Sequence, residues 1–408
     1  MEGDRSPGQR LLVLGAGPAQ LGLLQAARER GLFVIACDRD PAAPGFRYAD
    51  RRAIVSTEDE SSIERLASAE RVDGIISPGS DWPVGIAARI ANRLGIPHPL
   101  EPAQAAVATS KLRQRDRFAE AGVRQPAYRI CRDLAEAEAA ADEIGLPCVL
   151  KAPDRQGQKG LALVREPEEL EAAVRLAVGA SRSGLCLVEE AVPGPEVTVN
   201  AFSVAGRFVP LTVTDRETAD LPAFGVALAH VWPSVLPAEA VVECVAAARA
   251  AAEALEIRDG PTYTQIVLGP QGPHVGELAA RLGGGHDAEL CNAALGVDLN
   301  GLALAASLGE RAEVEHGQRA GGACTRFLVP PPGILHETGG VEDARAAEGV
   351  VDVRLYRDRG YIFVPLRRGA DRAGAVIAVG RDRGDALDRA ARAAACIRFE
   401  TVDVEALV

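Results

Sequence analysis

Four short stretches of the chain hold side chains suited to phosphate, carboxylate and divalent-cation chemistry. Lys151 closes the apolar run Leu146-Pro-Cys-Val-Leu-Lys151, and Gln156-Gly157-Gln158-Lys159-Gly160 follows before a second apolar run ends at Val164. Glycines at this spacing let backbone N–H groups lie over phosphate oxygens, and Lys151 and Lys159 add positive charge. Taken alone, the same loop also suits an ordinary hairpin tip. Leu185-Cys-Leu-Val-Glu189-Glu190-Ala191-Val192 brings two carboxylates to a strand end, passes Pro-Gly-Pro, and meets Glu196 where strand-like alternation resumes. Carboxylates so placed accept hydrogen bonds from amino and hydroxyl groups. Gln265 and Glu277 lie on the two arms of a hairpin-like segment. If the connecting loop has an odd number of residues, they stand opposite each other on one sheet face. Both supply oxygen, the ligand type Mg²⁺ requires. Arg281, just beyond, offers a planar fork to a phosphoryl group or carboxylate.

These groups need rigid elements to carry them. Leu11 to Gly22 reads as strand, glycine turn and helix, and further strands at Leu32–Cys37 and Gly74–Asp81 continue a β–α alternation. That order predicts a parallel, doubly wound sheet. Gly15-x-Gly17 is followed by Gly22, with Gln20 where a dinucleotide fingerprint places its third glycine, so the glycines read as helix–strand packing and not as an NAD site. A proline-rich stretch from Leu94 to Pro102 marks a domain edge. Helices are expected from Ser110, as cap, to Gly122 and from Leu134 to Ile144. The tail from Ala323 to Val408 mixes strand-like and helical pieces and closes on an amphipathic helix. The alanine-rich helices near Val245–Leu255 and Leu387–Ala395 suit core or subunit interface equally.

Composition bounds the partners. A chain of 408 residues that is 47% apolar has material for two to four packed domains. Its formal charge of −12 disfavours a nucleic-acid or anionic-membrane surface, because both need a basic footprint. No run of about 18 apolar residues appears, and Met-Glu-Gly-Asp-Arg-Ser-Pro lacks the order of a secretory leader, so a cytoplasmic location is expected. The eight cysteines are scattered without C-x-x-C or neighbouring His, and read as buried thiols.

In this order the parts resemble the ATP-grasp superfamily, within the carboxylate–amine ligase group that includes biotin carboxylase, the carbamoyl-phosphate synthase large chain, the purine-pathway carboxylases and the L-amino-acid ligases. The resemblance implies an α/β and α+β chain: a doubly wound N-terminal domain (1–100), a two-lobed ATP-grasp fold (101–310) and a small C-terminal α+β domain (311–408). It places the nucleotide on Lys111, Lys151, the loop Gln156, Gly157, Lys159 and Gly160, the adenine hinge Glu189, Glu190, Ala191 and Val192, and the ribose acid Glu196. In this placement Glu189 accepts from the exocyclic amine. Mg²⁺ or Mn²⁺ falls to Glu277 and Gln265, while Arg281 and Lys151 are the catalytic pair and Arg281, Gly284, His286 and His230 meet substrate. The sequence departs from the family pattern twice, with Gln265 at the first metal position, usually an acid, and Ala279 where an asparagine is usual. Weaker metal binding, one metal fewer or a nearby substitute acid would follow.

The implied reaction activates a small-molecule carboxylate with ATP as an acyl phosphate, which an amine then attacks, releasing ADP and phosphate. The alternatives are a bicarbonate-activating carboxylase of the same fold and a non-catalytic nucleotide-binding regulatory protein. A single methionine excludes a biotin-attachment Met-Lys-Met motif, and the length excludes paired ATP-grasp halves. Relatives in the group are often homodimers, which leaves oligomeric state open.

Overall fold

The computed structural model describes residues 8–315 and 317–402. The first seven residues, His316 and the last six, including the end of the tail considered above, lie outside the described residues.

The first unit is a four-stranded parallel sheet in the order β3-β2-β1-β4, built from Arg10–Leu14 (β1), Phe33–Asp38 (β2), Arg51–Ile54 (β3) and Gly74–Ile76 (β4). Its helices are Leu21–Glu29 (α1), Glu60–Glu70 (α2) and Trp82–Leu94 (α3). Strand alternation sends Leu12 and Leu14 towards α2 and α3, and Leu11 and Val13 towards α1. The α1 face is completed by Leu299, Ala303 and Leu304, supplied by a helix far along the chain. Burial on both faces explains why these strands read as continuous apolar runs.

After Pro102–Ala108 (α4) and Lys111–Glu120 (α5), whose Ser110 cap accepts from the Arg113 N–H, comes a small lobe. Tyr128–Cys131 (β5), Leu134–Ile144 (α6), Cys148–Lys151 (β6), Ala162–Val164 (β7), Leu170–Ala180 (α7) and Cys186–Glu190 (β8) form an antiparallel sheet, order β5-β8-β6-β7, beneath two helices. Ala137, Ala140, Val174 and Ala177 fill the layer between.

The remaining elements share one large antiparallel sheet. Its first strands are Glu196–Val204 (β9), Arg207–Thr218 (β10), Ala227–Trp232 (β11), Gly260–Gly269 (β12) and Gly272–Ala279 (β13). With Gly322–Leu328 (β14), Val350–Leu355 (β16) and Gly374–Gly380 (β18), the order is β13-β12-β9-β10-β11-β14-β18-β16. The segment after residue 310 therefore extends the sheet of the preceding lobe, and only Gly333–Gly339 (β15), Ile362–Phe363 (β17) and Arg398–Val402 (β19) pair separately. Helix Ala238–Ala254 (α8) covers one face through Cys244, Ala248 and Ala251 against Val197, Val199 and Ile266. Asp287–Leu295 (α9), Leu299–Ser307 (α10), Val341–Ala346 (α11) and Arg383–Cys396 (α12) complete the chain, and α12 buries Ala386, Ala390 and Ala393. Both alanine-rich helices thus use an alanine stripe for core packing. Seven cysteines are buried and all eight are unpaired.

Gly22 shows why the N-terminal glycines are needed. A Cβ there would lie 1.3 Å from the Glu289 carboxylate, which is held by Arg354 at 3.2 Å and Asn300 at 3.2 Å. The residue lets α1 close on α9. Gly22→Ala is expected to cost about 1–3 kcal/mol by overpacking, measured by urea denaturation. Gly179→Ala in α7, where an added Cβ meets nothing within 4 Å, should instead stabilise by about 0.5–1 kcal/mol.

Candidate active site

The face of the large sheet opposite α8 carries the polar constellation. Gln265 is paired in register with Glu277 on one side and Thr198 on the other, and Thr198 with Thr214, so four strands present one polar row. The register shifts after Gln265, where Gly276 is the extra residue of a bulge, and this turns the Gly276 carbonyl outward from the ladder. Next along the face, Arg216 on β10 is opposite His230 on β11.

Arg115, one turn into α5, holds these parts together. Its Nε and Nη2 donate to Glu189 at 2.9 and 2.7 Å, Nη2 also to the Gly276 carbonyl at 2.8 Å, and Nη1 to the Val275 carbonyl at 3.0 Å and Gln125 at 3.2 Å. Every guanidinium donor is used. The second Glu189 oxygen binds Lys151 at 2.5 Å. Burial raises the Glu189 carboxyl, but Arg115 and Lys151 outweigh it and hold the group below the usual carboxylate range. Burial, with Arg115 and Lys111 nearby, pulls the Lys151 ammonium down.

This differs from the expected role of Glu189. Both its oxygens are engaged within the protein, so it anchors Lys151. Around it, Glu190 accepts from the Ala127 N–H, the Ala191 N–H reaches the Pro147 carbonyl at 3.4 Å, and Val192 packs on Gly269. Glu196 is ion-paired with buried Arg216. Lys111 binds Glu277 at 3.1 Å and the Arg155 carbonyl at 2.9 Å. Burial raises the Glu277 carboxyl, yet Lys111, Lys151 and Arg281 hold it below the usual range.

Arg281 donates to Asp81 at 2.6 Å, and the Asp81 N–H donates to Gln156 at 2.5 Å. The strand-end loop of the first unit, the glycine loop and Arg281 therefore meet at one residue. In that loop Gly157, Gln158 and Gly160 have φ of 67°, 63° and 73°. A Cβ at Gly160 would come within 2.7 Å of Ala180. Lys159 has no ion-pair partner within 4.0 Å among the described residues.

A cavity of about 270 Å³ opens beside Gln265 and Gly284 and takes in the guanidiniums of Arg216, Arg281 and Arg372. Arg372 stacks 3.6 Å from the centre of the Phe327 ring and donates to the carbonyls of Ala227 and Gly369, with no carboxylate partner among the described residues. His230 also lines the cavity, its Nδ1 3.0 Å from buried Asp287. Burial raises the Asp287 carboxyl, and His230 together with the Gly285 N–H brings it below its ordinary range. A Cβ on Gly285 would lie 2.4 Å from the His230 ring, which explains the glycine.

His286 behaves differently from its expected place at the substrate. It is buried behind the cavity wall and hydrogen-bonded to Tyr356, whose side chain reaches the cavity. Burial, then Arg354 and Arg372, keep the His286 imidazole well below its ordinary value. Arg115, Arg216, Asp287, Tyr356 and Arg372 are functional candidates that the sequence reading missed. Of these only Asp287 carried a local signal, its place beside His286 after three glycines.

The donor set fits a single divalent cation: one carboxylate from Glu277 and one carbonyl oxygen from Gln265, with other positions left for substrate oxygens and water. No cluster of three or more His, Cys, Asp or Glu suited to a metal occurs among the described residues.

Two consequences are measurable. Arg115→Ala leaves Glu189 buried with half its counter-charge, and should cost about 3–5 kcal/mol in denaturant unfolding; Arg115→Lys, unable to reproduce the fork, should restore little of it. Because the folded state keeps His286 neutral, it binds fewer protons than the unfolded chain below about pH 6.5. Stability should therefore fall as pH drops from there, and His286→Gln should flatten that limb of a plot of denaturation midpoint against pH.

Residues 116–256 match the ATP-grasp domain and residues 326–402 match the L-amino acid ligase C-terminal domain 2. The uncharacterized protein y4rH of Sinorhizobium fredii is 27% identical over 94% of this chain and 81% of its own. A formate-dependent phosphoribosylglycinamide formyltransferase of Burkholderia pseudomallei is 27% identical over 95% of each chain. The crystal structure of an L-amino acid ligase from Bacillus licheniformis superposes with a TM-score of 0.81 at 19% identity, covering 98% of this chain and 100% of that one, a likeness of fold. No helix among the described residues is long and apolar enough to cross a membrane. The chain carries an ATP-grasp domain and an L-amino acid ligase C-terminal domain, and its relatives and structural neighbours are ATP-dependent ligases.

Proposed function

We propose that the chain activates a small-molecule carboxylate as an acyl phosphate and joins it to an amine, with release of ADP and phosphate. The observation that carries this reading is the convergence of Arg216, Arg281 and Arg372 on one cavity, the last without a carboxylate partner among the described residues. Three guanidiniums with one unneutralised suit a carboxylate together with a transferring phosphoryl group. The substrate carboxylate oxygen attacks the γ-phosphorus of ATP, the bond to the bridging oxygen breaks, and ADP leaves. The amine nitrogen then attacks the acyl carbon and phosphate departs.

Each residue has a physical task in this scheme. Lys111 and Lys151 neutralise the triphosphate, and the Gln156–Gly160 loop supplies N–H donors above it. Glu277 and Gln265 would hold Mg²⁺ or Mn²⁺, which supplies further charge neutralisation at the phosphates. Arg281, oriented by Asp81, holds the acyl phosphate. The His230 ring is oriented by Asp287 through Nδ1, leaving Nε2 to receive a proton from the attacking amine.

The test is phosphate release from ATP and Mg²⁺ with pooled amino acids and other carboxylates and amines. Glu277→Ala should lower turnover by about 100-fold or more, in line with losing a main electrostatic contributor. Lys151→Ala should abolish nucleotide affinity, read by calorimetry. Binding of ATP with no phosphate release across the whole pool would favour the non-catalytic regulatory reading, to which Gln265 and Ala279 point. Biotin-independent fixation of labelled bicarbonate would favour the carboxylase.

A further inference from the structure

A second concavity of about 730 Å³ lies outside the inner cavity and is walled by three parts of the molecule. Arg39 comes from the end of β2, Arg155 and Lys159 from the glycine loop, and Arg367 and Arg368 from the segment before β18. It contains five cations and one carboxylate, Glu58, which is already shared by Arg182 and Arg155. Arg39, Lys159 and Arg367 have no ion-pair partner among the described residues. Burial and the adjacent Arg39, Arg368 and Arg155 push the Lys159 ammonium below its ordinary value, as a cation short of counter-charge requires. In a chain of net charge −12, a cleft of one sign is a local exception that concentrates anions.

The cleft adjoins the inner cavity. Gln158 lines both, and Arg368 lines the cleft while its neighbours Gly369 and Ala370 line the cavity. A molecule whose reacting end sits beside Arg281 and His230 can therefore extend its other end between Arg39, Lys159 and Arg367. Lys111 and Lys151 do not line this cleft; Arg39, Arg155 and Lys159 also line the pocket that holds Lys111 and Glu277, whereas Arg367 and Arg368 do not.

We propose that this cleft is a specificity subsite for the far end of a substrate, and that this end is a dianion: a phosphate monoester or an additional carboxylate beyond the reacting group. The proposal rests on the ligase reading above. It explains why Arg367 and Arg368, in a segment that serves no strand, are turned towards the glycine loop of another lobe.

The experiment uses the full chain saturated with Mg²⁺ and a non-hydrolysable ATP analogue, so that the triphosphate groups are occupied. Calorimetry then compares phosphoserine with serine, and glutamate with glutamine. The charged member of at least one pair should bind about tenfold more tightly, and the Arg39→Ala/Arg367→Ala double variant should remove that preference while leaving nucleotide affinity unchanged. Preference for phosphoserine over glutamate identifies a phosphate, and the reverse a carboxylate. The proposal is overturned by equal binding within both pairs, by a preference that survives in the double variant, or by a fall in nucleotide affinity that accounts for the whole effect. The same amino acids are assayed for phosphate release with ATP. Release without any charge preference refutes the subsite and leaves ligation standing, whereas charge preference without release supports the subsite and leaves ligation to the wider pool.

Discussion

The buried guanidinium of Arg115 is the constraint on which the site depends. It belongs to α5, yet its donors go to Glu189 in the small lobe and to the carbonyls of Val275 and Gly276 in the large one. A buried charge of this kind is tolerated only when every donor is satisfied and a counter-charge is adjacent. That requirement fixes the position of β8 against β13, and through Glu189 it fixes Lys151. The bulge at Gly276 is part of the same arrangement, since a regular ladder would spend that carbonyl on its neighbour strand. Lobe spacing, lysine placement and the facing of Glu277 are thus consequences of a single satisfied hydrogen-bonding group.

Asp81 plays the complementary part at the other rim. It accepts from Arg281 through its side chain and donates to Gln156 through its backbone, so the first unit closes the site from above without supplying a cation itself. Glu58 contributes in the same sense by pairing with Arg182, whose guanidinium also lies 4.2 Å from the Trp82 ring centre. These contacts join elements that share no sheet. The Arg182–Glu58 pair is partly exposed and worth little alone, whereas Arg281–Asp81 is largely buried.

Much of this could be read from the sequence where local pattern suffices. The parallel first sheet, the hairpin carrying Gln265 and Glu277, the helix caps at Ser110 and Gly122 and the Lys151 strand all follow from periodicity and turn chemistry. The continuity of the large sheet could not be read, because β14 and β18 join β11 across loops whose lengths say nothing about strand order. Arg115 was hidden for another reason: within Lys-Leu-Arg-Gln-Arg-Asp-Arg it looks like one more solvated charge, and its burial is set by groups 74 and 161 residues away. Glu189 was assigned to nucleotide because a carboxylate at a strand end looks available, and only the tertiary fold shows it already paired. His286 looked like a loop residue facing substrate, but αL geometry at φ 60° turns it into the cap of α9 and buries the ring.

The same polar row explains what a glutamine does at position 265. Residues directly opposite on antiparallel strands have Cβ atoms about 5 Å apart, so an acid here would face Glu277 as a like charge in a buried setting and depend on metal to remain ionised. Glutamine removes that repulsion when no metal is bound, and Lys111, with Lys151 and Arg281 nearby, then neutralises Glu277. In the proposed cation site this arrangement would be stable with the cation absent, at the expense of cation affinity. The surplus of positive charge around the cavity follows from the same substitution, because Lys111, Lys151, Arg281 and Arg372 are left with fewer fixed carboxylates than cations. Under the proposed reaction negative charge arrives with the substrates, and such a site gains most of its electrostatic balance only when nucleotide and carboxylate are both in place.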